Sequence, residues 1–200
     1  MARPLGFDRD RVIVAATRTF WRHGLHATTA EDLCQSTGLG RSSLYNSFGS
    51  KNALFEECLD SYLAQARARV DALLGDADRP VLERIGLLLK AIAAEEVDRA
   101  ATDAPRGCLA VNTVAELADG PESVEALRRI GEDTATRIHL LGSALRAGQA
   151  SGEITREVRA EGLAAFVNAA IVGLRLASQG EAAPDRLDDI VASTMRALRP

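Results

Sequence analysis

The chain is 200 residues long, 46% hydrophobic and 26% charged, with 4% aromatic residues and a net charge of −4. This composition excludes a disordered or fibrous chain, and its wealth of Ala, Leu and Arg favours helices over strands. The charge is unevenly spread: residues 1–51 carry seven basic against four acidic side chains, leaving 17 basic against 24 acidic for the rest. A basic end on an acidic body is the pattern expected when one end of a molecule meets phosphate.

The first helical pattern opens near Phe7-Asp8. Val12, Ala16 and Phe20 repeat at helical spacing with Ile13, Thr17 and Trp21, and Gly24 is expected to end the run as a left-handed cap. A second helix follows Thr28-Thr29, where either hydroxyl can cap, with Glu31 or Asp32 completing a capping box. It runs to about Thr37, and Gly38-Leu39-Gly40 form a tight turn. A short third helix spans Arg41 to Ser47 and is closed by Gly49; Ser50 caps a fourth that continues to about Leu74. Further helices are expected over about Pro80–Asp98, Cys108–Leu117, Pro121–Gly152, Glu157–Gln179 and Pro184–Leu198. The fold class read from this pattern is all-α, a three-helix N-terminal domain at 1–52 followed by a helical bundle at 53–200.

Two helices joined by a short Gly-containing turn describe a helix-turn-helix, whose second helix enters the major groove of double-stranded DNA. On the third helix, Leu44 and Phe48 point to one side, Ser42 and Asn46 point away, and Ser43 and Tyr45 flank them. Hydroxyls and an amide on an exposed face suit base edges and phosphates. The third and fourth helices also begin with cations, Arg41 and Lys51, where acids are usual. Cations there cost about 0.3–1 kcal/mol each, unless an anion arrives at the helix start.

Residues 9–55 resemble the DNA-binding domain of the TetR family of bacterial repressors. The resemblance rests on Phe20-Trp21-Arg22-His23-Gly24-Leu25, Thr28-Thr29, Gly38-Leu39, Leu44-Tyr45-Asn46-Ser47-Phe48 and Ser50-Lys51-Asn52-Ala53-Leu54-Phe55, in that order and spacing. It implies that Tyr45 and Lys51 contact phosphate, that Thr29 lies near a further phosphate contact, and that Arg41, Ser42, Ser43 and Asn46 face the groove. Gly40, Ser42 and Asn46-Ser47 depart from the family's usual residues, which bears on the operator sequence rather than the fold.

The resemblance further implies a C-terminal bundle that binds a small effector and forms a homodimer through its last two helices. The sequence fits that plan by itself. Leu187, Ile190, Val191, Met195 and Leu198 form one apolar stripe. The stretch from Leu163 to Leu174 is apolar nearly all round, with small residues at Ala169, Ala170 and Gly173 suited to close approach. Asn112, His139 and Phe166 are candidate pocket residues. Arg106 to Thr113 resembles a stretch from one branch of the family, some of whose members sense electrophiles or oxidants through the cysteine. Cys108 is therefore a fourth ligand-side candidate, placed at a helix start near Arg106, where a thiol gains reactivity.

Cys34, Cys58 and Cys108 are odd in number and widely spaced, so a reducing cytoplasm is expected and no disulfide framework. Neither metal nor cofactor is expected, since His23, His26 and His139 share no ligand spacing with the cysteines. Leu163–Ala177 is interrupted by Asn168 and Arg175 and reads as too short for a bilayer; the N-terminus lacks a signal pattern. No nucleophile–base pair or phosphate loop marks an enzyme. The reading is a ligand-responsive DNA-binding regulator, with a Cys108 redox sensor as the alternative and a helical enzyme or adaptor behind it.

Overall fold

A computed structural model describes residues 7–118, 124–180 and 183–200. Among these residues nine helices follow in order: α1 Arg9–Ala27, α2 Ala30–Thr37, α3 Arg41–Phe48, α4 Lys51–Leu74, α5 Val81–Ala100, α6 Leu109–Leu117, α7 Val124–Ser151, α8 Ala160–Gln179 and α9 Pro184–Ala197. The helical content follows from the periodicities above. The boundaries differ where longer-range bonds intervene. Gly24 does not end α1. It adopts φ 80°, ψ 173° and kinks the helix, which resumes to Ala27. Pro80 is the residue before α5 rather than its first turn, and α8 starts at Ala160 instead of Glu157. The expected start of α7 at Pro121 lies outside the described residues.

The chain divides into two compact units. Unit 1 comprises residues up to Ala64 with Leu109–Arg129, and unit 2 comprises Gln65–Cys108 with Ile130–Pro200. In unit 1, Val12, Ile13, Ala16 and Phe20 of α1 are buried with Leu33 of α2, Leu44 and Phe48 of α3, and Leu54, Phe55 and Cys58 of α4. The Phe20 and Phe55 rings meet edge-on at 5.2 Å, and Trp21 meets Tyr62 likewise at 5.0 Å.

Unit 2 is built on a continuous apolar core from α5 (Ile85, Leu88, Leu89), α7 (Leu141, Leu145), α8 (Leu163, Val167, Ile171, Leu174) and α9 (Leu187, Val191, Leu198). Unit 2 also buries charged side chains, Glu96 and Arg175 among them. The Glu96 carboxylate is fully buried and accepts from Arg99 Nη1 (2.8 Å), Arg175 Nη1 (3.0 Å), Ser178 Oγ (2.6 Å) and the Gly107 amide (3.0 Å). Four donors, two of them cationic, offset the desolvation of a buried carboxylate.

Helix α8 is long and apolar enough to cross a membrane by length and composition, contrary to the sequence expectation. Its character has another source here: Arg175 is buried against Glu96, and Leu163, Ala164, Val167, Ile171 and Leu174 fill the unit 2 core. Its opposite side leaves Ala165, Phe166, Ala169 and Leu176 exposed, a stripe at helical spacing.

Candidate nucleic-acid interface

Helix α2 is started by Thr29. Its hydroxyl accepts from the Asp32 amide (3.2 Å), while the Asp32 carboxylate accepts from the Thr29 amide (2.8 Å) and hydroxyl (2.7 Å). Of the two threonines, Thr29 is thus the cap, and the box closes on Asp32. These bonds, the Thr29 hydroxyl foremost, hold the Asp32 carboxyl below its usual range. Thr28 is buried, and its hydroxyl donates to the Gly24 carbonyl at 2.5 Å. Gly38 ends α2 in the left-handed region (φ 73°, ψ 10°), its amide bonded to the Cys34 carbonyl.

Helix α3 then presents two unlike faces. Leu44 and Phe48 are buried, whereas Arg41, Ser42, Ser43 and Asn46 are exposed and Tyr45 is half-buried. The helical phase read from the sequence accounts for this division. Gly40 precedes α3 and supplies no side-chain cap, and its first turn contains no acid. The uncapped first-turn amides and Arg41 therefore share one positive end. Arg41 lies over the Tyr45 ring, 5.9 Å from its centroid, one helical turn away.

Lys51 opens α4, and its ammonium donates to the carbonyls of Thr28 (2.9 Å) and His26 (3.3 Å). It satisfies carbonyls at the end of α1, with one of its three donors left over. Ser50 caps α4 through the Ala53 amide.

Arg9 escaped the sequence reading. Its guanidinium forms a two-pronged pair with Glu57 (2.7 Å to each oxygen), donates to the Ser47 carbonyl (3.3 Å) and stacks over Phe48 at 4.3 Å. One side chain of α1 thereby holds the C-terminal end of α3 to α4. Its partners stand 38 and 48 residues away, beyond any local pattern.

The ligand-side candidates fall in both units and are described one by one. Cys108 is buried at 9% exposure directly before α6, in unit 2, whereas Asn112 is half-buried on α6, in unit 1. His139 on α7 and Phe166 on α8 are both exposed, Phe166 at 44%. Phe166 is part of the exposed stripe of α8.

Comparison with known proteins bears on both units. The family described as bacterial regulatory proteins, tetR family, matches residues 12–58, and a tetracyclin repressor-like C-terminal domain matches residues 81–194. The HTH-type transcriptional repressor ComR of Escherichia coli (strain K12) is 31% identical over 194 residues, covering 97% of this chain and 90% of that protein. DhaR of Mycobacterium sp. (strain GP1), also an HTH-type transcriptional repressor, is 26% identical over 96% of this chain and 92% of its own. Among solved structures, the chain is similar to the TetR family transcriptional regulator CifR, a cysteine mutant complexed with 26bp double-strand operator DNA. That likeness has a TM-score of 0.83 at 30% identity, over 98% of this chain and 99% of that one.

Proposed function

The chain belongs to the TetR family of bacterial regulatory proteins and is a DNA-binding transcriptional repressor, and from that premise we propose how it meets its operator. Like its family it works as a dimer. Two copies of α3 enter successive major grooves of a pseudo-palindrome, where Ser42, Ser43 and Asn46 face the bases. Arg41, Tyr45, Lys51 and the Thr29 cap of α2 lie along the phosphates. The observation that carries this reading is the exposed polar face of α3 behind an uncapped, cationic N-terminus. A small effector bound in the C-terminal domain favours a conformation with lower operator affinity and releases the DNA. The protein acts in the cytoplasm as a regulator rather than a catalyst.

The test is the salt dependence of binding to a duplex selected by the wild-type chain. Lys51→Ala combined with Tyr45→Phe weakens binding to all sequences alike and lowers the slope of log affinity against log salt by about one to two. Wild-type affinity and slope in that double variant would sink the docking scheme.

A second reading has oxidation or alkylation of Cys108 replace the effector. It draws on the place of Cys108 between Gly107, which Glu96 grips, and the first residue of α6. Operator release by an electrophile that persists unchanged in Cys108→Ser eliminates it.

A further inference from the structure

The kink at Gly24 creates an accounting problem inside unit 1. Because α1 breaks there, the amides of Leu25 and His26 start a new turn and lose the helical carbonyl partners that an unbroken helix would supply. Glu116 of α6 supplies them instead. Its Oε2 accepts from the Leu25 amide at 2.9 Å and its Oε1 from the His26 amide at 2.7 Å, two charge-assisted bonds from one carboxylate. The His26 ring nitrogen Nδ1 stands 3.4 Å from the same Oε1. The φ of 80° at Gly24, which L residues rarely adopt, favours glycine at this kink, and the Glu116 carboxylate lies 2.6 Å from where a Cβ would stand.

The opposite, carbonyl side of this short segment is held by Lys51, through His26 and Thr28. His26 is therefore gripped twice. Its amide donates to Glu116 of α6, and its carbonyl accepts from Lys51 of α4. Thr28 closes the joint by bonding back to Gly24, and the next residue is the Thr29 cap of α2.

We propose that Glu116 is a positioning residue for DNA binding: by fixing the Gly24–Thr28 joint it sets the seat of the Lys51 ammonium and the entry into α2. Glu116 itself touches no DNA. The inference rests on the reading of Lys51 as a phosphate contact and adds a side chain of α6, far along the chain, to the machinery that presents it. Within unit 1, the segment that seats Lys51 is thereby tied to α6.

A double-mutant cycle on the full chain tests this, using Glu116→Gln, Lys51→Ala and their combination against the selected duplex and a random-sequence duplex. Glu116→Gln is expected to weaken binding to both duplexes about fivefold to tenfold and to lower the salt slope toward that of Lys51→Ala. In the Lys51→Ala background the same change should cost less than about twofold, because the group it positions is gone. Thermal melting of each variant separates positioning from folding: a merely structural role lowers the melting temperature and the active fraction while leaving the salt slope of the folded protein unchanged. That outcome, or full additivity with Lys51→Ala, overturns the proposal while the Lys51 reading stands. A Lys51→Ala protein with wild-type slope and affinity overturns both.

Discussion

Asn46 offers the sharpest test at the scale of single residues. Its amide is exposed on α3, one turn from Ser42, and a bidentate amide–base contact is worth about 1–3 kcal/mol of discrimination. Asn46→Ala should therefore relax preference at one operator position while leaving the salt slope in place; measured on single-base variants of the site, an unchanged preference contradicts its role. The cysteines make a second test. Burial pushes the Cys58 thiol up to about 12, from an ordinary value of 9.0. Its folded value is raised, so the stability linked to the neutral thiol is complete below about pH 9 and lost as pH climbs toward 12. A brief alkylation pulse at pH 8, read by mass spectrometry, should mark half-buried Cys34 first, Cys108 more slowly and Cys58 not at all. Rapid Cys58 labelling in the folded chain contradicts this packing. The polar face of α3 was legible in sequence because helical phase alone separates Ser42 and Asn46 from Leu44 and Phe48. Arg9 and Glu116 were not, since their meaning comes from backbone groups and carboxylates far away along the chain.

At the scale of elements, the helices followed from apolar spacing, while their ends were decided by bonds that spacing does not encode. Helix α8 starts at Ala160 because the preceding backbone is already engaged: Gln149 Nε2 donates to the carbonyls of Thr155 and Val158, and Arg156 Nε to that of Gln149. Likewise α1 continues past Gly24 because Glu116 takes the amides freed by the kink. The buried charge on α5 makes a quantitative case. Glu96→Ala removes the acceptor for two guanidinium groups, a hydroxyl and the Gly107 amide, and should cost about 3–5 kcal/mol by chemical denaturation. A loss below about 1 kcal/mol would show that the cluster does not bear on the unit 2 fold. Arg9→Met, at a partly exposed pair, should cost about 1 kcal/mol or less, while reducing operator affinity through a looser α3.

On the scale of the whole molecule, the N-terminal surplus of positive charge and the ordered helix-turn-helix residues point to DNA from the sequence alone. The grouping of α6 with the N-terminal helices was hidden, because Leu109–Arg129 lies more than forty residues beyond the first part of unit 1. The effector lining stayed illegible for a different reason: Asn112, His139 and Phe166 carry no local pattern that separates packing from binding. We propose that the open stripe of α8 is where two copies of the chain meet. Phe166→Glu with Leu176→Glu should shift the protein to monomer in sedimentation equilibrium and abolish tight operator binding, whereas an unshifted dimer would move the interface elsewhere. The central claim, that paired α3 helices read DNA, is tested most directly by selecting binding sites for the full chain from a random duplex library, with Asn46→Ala run in parallel. The account predicts two half-sites in inverted orientation, about one helical turn or a multiple apart, with the variant losing preference at one base pair of each half-site. Enrichment of no symmetric site, or the same site in both proteins, would contradict it.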